Sequence, residues 1–486
     1  MPGLVVGGAS SHCGKTVTTL ALICALRARH LRVAAAKIGP DFIDTAYHQQ
    51  ASGLPVANLD IWMQGARGLA RLQKRMARLA PGLCVAEGVM GLFDGTTGGR
   101  GSTAHVACQL GWPVLLLLPC KGQAQSVAAV AEGFLTYGEG RRGIRKPRFA
   151  GMLCTFVGGE RHKALLREAL TPVAQRHKVP LLGMLPREGA PQLPSRHLGL
   201  VAAEETAHLL EPDALATWFA DNCDMAALLR ALGLRRTVHA DNNVPALGSS
   251  GQTSTQHDDC GQQAFFAPAT PCTQRTLRVG IAFDAAFRFC YADVPALLQE
   301  LGAEVRFFSP MQDAAPPANC AGLYFPGGYP ELFAQQLAVN RPMRESLRTL
   351  ASQNVPMYGE CGGFLYLMRE LVDNEGHSWP MTGLLPLACR MGRRWAALGY
   401  RLCEGTYRGH EFHYGQIEDA PTAPAPLCSS HKQFLWQSVK NGSGQELGPQ
   451  GCRIGNIAGS WVHLAPEGAR GFWRAWLHSL RTQAIS

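Results

Sequence analysis

The sequence predicts an α/β protein made of two parallel-sheet domains in succession, and three observations carry that prediction. From residue 3 to about 185, short β-rich runs alternate with longer helical stretches; between about 236 and 276 the alternation lapses; at residue 277 it resumes. Such alternation gives a parallel sheet with crossover helices, and 486 residues exceed what one hydrophobic core ordinarily holds.

The runs of the first half are LVVGG (4–8), LRVAAAK (31–37), LCVAEG (83–88), VLLLLP (114–119), FAGMLCTF (149–156) and VPLLGML (179–185). Their continuous apolar character suits strands buried on both faces. Residues 236–276, which include VHADNNVPALGSSGQTSTQ, are polar and turn-forming with no hydrophobic period, so they read as a linker between a domain at 1–235 and another at 277–486. In the second domain the strands are LRVGIAF (277–283), AEVRFF (303–308), GLYF (322–325) and VPMY (355–358), and an irregular stretch at roughly 420–450 reads as a surface loop.

Composition narrows the function classes. A net charge of +10 suits nucleic acid, an acidic membrane surface or small polyanions. The densest basic runs are Arg141, Arg142, Arg145, Lys146 and Arg148, then Arg390, Arg393 and Arg394; neither is interleaved with aromatics, which favours solvated or substrate-facing charge over a nucleic-acid groove. No run of about 18 apolar residues appears, and the first residues read as a strand rather than a leader, so a cytoplasmic protein with no membrane partner is expected. The sixteen cysteines are scattered without a C-x-x-C pair, as reduced thiols would be.

Two stretches carry chemistry. In the first, GGASSHCGKT, a glycine-bearing turn joins the strand LVVGG to the helical VTTLALICALRAR. Backbone N–H groups and the positive helix end there suit a phosphate, with Lys15 reaching the terminal phosphates and Thr16 ligating magnesium. Magnesium also asks for carboxylates, and Asp41, Asp44 and Glu87 follow strands of the same sheet. In the second, VPMYGECGGFLYLMREL runs strand, tight turn, helix. Gly359-Glu360-Cys361-Gly362-Gly363 fits the nucleophile elbow, with Cys361 at a helix N-terminus that favours the thiolate. Upstream, GLYFPGGYPELF offers a second glycine turn for an oxyanion hole. The general base is left open among His410, His413 and His463.

A phosphate loop joined to such an elbow suggests an energy-using synthetase coupled to a glutaminase, and the chain resembles the cobyrinic acid a,c-diamide synthases of corrinoid biosynthesis, including the hydrogenobyrinic acid enzymes. SHCGKT, KIGPDFIDTAYH, NLDIWM, EGVMGLFDG, GSTAHVA, GERH, LPSRHLGLV, FPGGYPEL, YGECGGFLYL, GLLP, LGYR, RGHEFHY and GNIAGSWVHL carry the resemblance nearly from end to end. It implies a dethiobiotin-synthetase-like phosphate-loop domain, whose first glycine stands seven residues before the lysine, as Gly8 does before Lys15. It also implies a flavodoxin-like class I glutamine amidotransferase domain with a cysteine–histidine dyad.

By resemblance, Gly8, Ser11, Gly14, Lys15, Thr16 and Thr155 bind ATP, Thr16 and Glu87 hold Mg(2+), and Asp41 and Asp44 work near the reacting carboxylate. Cys361 and His463 hydrolyse glutamine, while Gly327, Gly328 and Gly362 hold the oxyanion. Ala465 stands where a triad enzyme would carry glutamate, which agrees with a dyad. The implied reaction phosphorylates the a and c carboxylates of the macrocycle and displaces each phosphate with ammonia from glutamine. Partners are then small molecules, with a homodimer left open.

The chain departs from the family pattern at several places. Thr155-Phe156-Val157 replaces the usual Asn-Arg-Val, His12 replaces a common glycine that it would crowd unless it points outward, Tyr291-Ala292-Asp293-Val294 replaces Y-P-x-N, and LAP follows the histidine strand in place of LHF. Rival readings are another tetrapyrrole acid, such as sirohydrochlorin, or a nucleotide-dependent partitioning protein. The cysteine elbow argues against the latter.

Overall fold

The computed structural model describes residues 1–79, 82–138, 146–191, 211–234, 277–419 and 433–483. The expected linker at 236–276, the segment LPSRHLGLV, and Arg141, Arg142 and Arg145 lie outside these residues. The described residues fall into two compact units.

The first unit is built on β1 (Gly3–Gly8), β2 (Val33–Ile38), β3 (Ala57–Leu59), β4 (Leu83–Gly91), β5 (Val114–Pro119), β6 (Phe149–Val157) and β7 (Leu181–Pro186). They form one sheet in the order β3-β2-β4-β1-β5-β6-β7, and every neighbouring pair is parallel. The apolar runs explain the layering. Leu4 and Val6 enter one core while Val5 enters the other, because successive side chains of a strand point to opposite faces. Each such Leu or Val contributes about 1.5–3 kcal/mol on leaving water. The helix Lys15–Arg27 buries Leu20, Leu22, Ile23 and Leu26 on the same core as Leu4 and Val6, and so fixes the loop after β1 at the carboxyl edge of the sheet. The strand β3 was absent from the expected set, since its three residues are too short to show a period.

The second unit contains β8 (Leu277–Ala282), β9 (Ala303–Phe308), β10 (Gly322–Phe325), β11 (Met357–Glu360), β12 (Met368–Val372), β13 (Ser378–Pro380), β14 (Leu385–Met391), β15 (Ala397–Cys403), β16 (Tyr407–His413), β17 (Gly415–Asp419), β18 (Val439–Asn441), β19 (Cys452–Ile454), β20 (Ile457–Ser460) and β21 (His463–Leu464). Its main sheet runs β19-β20-β11-β10-β8-β9, parallel except at the edge pair β19–β20. Two four-stranded sheets accompany it, β13-β12-β14-β17 and β18-β15-β16-β21.

Two expectations are corrected here. The helix after the elbow covers only Gly362–Leu367, and the following MREL belongs to β12. The described part of the 420–450 stretch is not surface loop alone: β18 pairs antiparallel with β15, and Val439 and Trp436 are buried. Short, partly polar strands without local alternation give little period to read.

Candidate functional site

In the first unit, β1 delivers Gly8 to the start of the expected phosphate loop, and Ala9 N–H donates to Leu117 O at 3.1 Å, so the loop leaves the sheet pinned to β5. A side chain at position 8 would collide with the Cys13 sulfur. The loop turns through His12 at φ 58° and Gly14 at φ 88°. The second angle suits glycine. Ser11 and His12 are exposed, so His12 points outward and does not crowd the loop. No side chain caps the helix that starts at Lys15, which leaves its leading N–H groups for an anion. Lys15 is buried and donates to Ser10 O at 2.8 Å, folded across the loop. The Thr155 hydroxyl donates to Cys13 O at 2.8 Å, bracing the loop from β6.

The acids converge beside this loop. Thr16 Oγ1 lies 2.9 Å from Glu87 Oε1 and 3.5 Å from Asp44 Oδ2. Lys37, fully buried, sits between Asp44 at 2.5 Å and Glu87 at 2.8 Å, with Asp41 at 3.6 Å. His48 Nε2 is 2.7 Å from the other oxygen of Glu87. Burial alone would raise the Glu87 carboxyl, but the Lys37 charge and then His48 outweigh it and hold the group well below the usual carboxylate range. Asp41 accepts from the N–H groups of Ile43 at 2.9 Å and Asp44 at 3.0 Å, so it also caps the helix Ile43–Ser52.

This oxygen set fits the hard cation implied for the site. Octahedral magnesium with ligands at about 2.1 Å separates neighbouring oxygens by about 3 Å, close to the Thr16–Glu87 spacing of 2.9 Å. Asp44, expected near the substrate, stands in this cluster, beside Thr16 and Lys37. Lys37 and His48 were missed, although a signal existed: Asp44 and His48 are four apart on one helix and share a face.

In the second unit, β11 leads into Cys361, which adopts φ 48° and ψ −106°. A non-glycine residue there is strained, as a nucleophile elbow requires. Around it the backbone is packed too tightly for side chains. A Cβ on Gly362 would fall 2.8 Å from Gly328 N and O, and one on Gly327 would strike the His463 ring. The five predicted residues therefore come together: Cys361 and Gly362 adjoin, Gly362 faces Gly328, and His463 lies over Gly327. The Cys361 thiol is 3.8 Å from Phe412 O.

The histidines can now be told apart. Both ring nitrogens of His413 face acceptors, Glu411 Oε1 at 2.7 Å and Gly415 O at 2.8 Å. Nδ1 of His410 meets the Tyr291 hydroxyl at 2.8 Å. His463 is the one beside the glycine turn. Burial, then the nearby His413, pushes it down to about 3, with Glu411 opposing. Burial, then the charge of Glu331, drives the Cys361 thiol well above its ordinary range. The Gly362 N–H at the helix start does favour the thiolate, as expected, but burial outweighs it. Both directions favour the uncharged forms, thiol and imidazole.

Among the described residues no helix is long and apolar enough to cross a membrane. Residues 4–201 match the family described as the CobQ/CobB/MinD/ParA nucleotide binding domain, and residues 278–470 match the CobB/CobQ-like glutamine amidotransferase domain. The hydrogenobyrinate a,c-diamide synthase of Brucella abortus is 38% identical over 96% of this chain and 98% of its own length. That of Rhizobium meliloti is 36% identical over 96% of this chain and 99% of its own length. The cobyrinate a,c-diamide synthase of Syntrophotalea carbinolica is 36% identical over 97% of this chain and 98% of its own length. With both domains matched in order and more than a third of its residues shared along nearly its whole length, the chain belongs to the cobyrinate and hydrogenobyrinate a,c-diamide synthase family.

Proposed function

We propose that this protein is an ATP-dependent, glutamine-hydrolysing ligase that converts the a and c side-chain carboxylates of cobyrinic or hydrogenobyrinic acid to amides. The observation that supports the reading most is the pairing, in one chain, of a phosphate loop flanked by Thr16, Asp44 and Glu87 with a strained Cys361 set against Gly328, Gly362 and His463.

At the amidotransferase site, the Cys361 sulfur attacks the side-chain amide carbon of glutamine while His463 takes the thiol proton. Burial favours the uncharged thiol and imidazole, which favours proton transfer accompanying attack over transfer preceding it. The developing oxyanion is held by the backbone N–H groups of Gly362 and the Gly327-Gly328 turn. Collapse of the intermediate breaks the C–N bond, and His463 returns the proton to the departing ammonia. Water then cleaves the glutamyl thioester and releases glutamate.

At the other site, a macrocycle carboxylate takes the γ-phosphoryl group of ATP, giving an acyl phosphate and ADP; ammonia attacks its carbon and phosphate leaves. Activation is needed because a free carboxylate is a very poor acyl donor. The Lys15 ammonium and the leading N–H groups of its helix hold the phosphates. Thr16, Glu87 and Asp44 would hold magnesium, which neutralises phosphate charge when bound. Lys37 keeps the buried Glu87 carboxylate anionic and pairs with Asp44. Asp41, at the rim of the cluster, is suited to orient the incoming acid.

The test is mass spectrometry of products from a panel of tetrapyrrole acids with glutamine and Mg-ATP. Cobyrinic or hydrogenobyrinic acid should show two successive carboxyl-to-amide conversions, whereas conversion of sirohydrochlorin alone would redirect the substrate assignment. Cys361→Ser should lose glutamine-driven amidation and keep ammonia-driven amidation; wild-type protein without glutaminase activity would overturn the reading.

A further inference from the structure

The rings of His463 and His410 are stacked in the second unit. β16 and β21 pair so that His410 stands opposite His463, and the two rings lie 4.7 Å apart, 11° from parallel. Both are buried. On its other side His410 is fixed twice: its Nδ1 meets the Tyr291 hydroxyl at 2.8 Å, and the Phe412 ring packs against it edge-on at 5.0 Å. Two buried carboxylates of this neighbourhood are engaged elsewhere. Glu411 is held by Arg401 at 2.5 Å and His413 at 2.7 Å, and Glu360 by Tyr324, Tyr358 and the Leu464 N–H.

We infer that His410, anchored by Tyr291, is the positioning residue of His463: it sets the plane of that ring and places a neutral aromatic face under the imidazolium formed during attack. The inference rests on the amidotransferase reading of Cys361 and His463. An acid would steady that cation by charge; a desolvated ring face steadies it through its quadrupole and leaves the resting histidine neutral. Burial, then the charges of His463 and Arg401, keep His410 itself uncharged, so the face stays available. The Tyr291 hydroxyl, 2.8 Å from Nδ1, stops the His410 ring from turning, so the face it presents to His463 is fixed.

Glutamine hydrolysis by wild type, His410→Leu, His410→Phe and Tyr291→Phe tests this, with melting curves reporting folding. His410→Leu should lower kcat about 30-fold with KM for glutamine within about threefold, the loss a desolvated cation–ring contact represents. His410→Phe, which restores a flat face, should recover about tenfold of that loss, and Tyr291→Phe should lower kcat about fivefold. A folded His410→Leu with wild-type kcat, a loss confined to KM, or a folded His410→Phe no better than His410→Leu would overturn the inference. Should His410→Leu not fold, Tyr291→Phe decides, since it removes one oxygen; unchanged kcat there rejects the anchoring role. A wild-type enzyme without glutaminase activity is a different failure, seen before any variant is made, and it removes the amidotransferase reading itself.

Discussion

Glu360 immediately precedes the proposed nucleophile and takes no part in the proposed chemistry, yet its buried carboxyl accepts from Tyr324 at 2.8 Å, from Tyr358 at 3.1 Å and from the Leu464 N–H at 3.1 Å. These bonds tie β11 and β10 to the strand that carries His463. Burial outweighs them and pushes the group up to about 8 from an ordinary 4.5. The folded state therefore holds this proton more tightly than the unfolded chain. The resulting stability is full below about 4.5, is lost as pH rises toward about 8, and is absent above it. Glu360→Gln keeps the shape and three hydrogen-bond partners without titrating. Its melting temperature should fall near or below wild type at pH 5 and rise several degrees above it at pH 8.5. A difference that does not change with pH would show that Glu360 is not the group responsible.

Between strands, close backbone approach does the positioning, and the turn after β10 shows it most sharply. A methyl group at Gly327 would strike the His463 ring and lie 3.0 Å from its Nδ1. Gly327→Ala should therefore cost glutamine hydrolysis about 100-fold, the order expected of a group displaced by an ångström, while amidation driven by added ammonia persists. Equal loss of both activities would instead indicate global damage. The glycine turns and the strained residue proposed as nucleophile were legible in the sequence because GECGG and PGGYPE place small residues where a strand must turn sharply. Residues that face each other across strands were not. Lys37 stands opposite Glu87 in the β2–β4 register, and His410 stands opposite His463 in the β16–β21 register. Each partner lies about 50 residues away along the chain. Local spacing carries no trace of such a pairing, and for the same reason β12 to β19, short and joined across distant segments, escape a reading that finds every long strand of the first sheet and the strand that ends at His463.

The molecule as a whole carries a charge of +10, and two of its three proposed small-molecule substrates respond to that charge differently. A tetrapyrrole acid bearing several carboxylates feels the summed field; glutamine, a zwitterion with no net charge, does not. The contribution is long-ranged, so salt should remove it: the screening length shrinks from about 14 Å near 0.05 M to about 4 Å near 0.5 M. Buried pairs within the proposed site, such as Lys37 with Glu87 at 2.8 Å, are far less exposed to screening. Over that salt range KM for the macrocyclic acid should rise several-fold while KM for glutamine and kcat stay within about twofold. The two are separated by initial rates at saturating concentrations of the other substrates, with chloride as the only changing anion. A parallel rise in both KM values would mean that salt perturbs the fold or the ATP step rather than capture of the acid, and the surplus of basic residues would then have no role in recognising substrate.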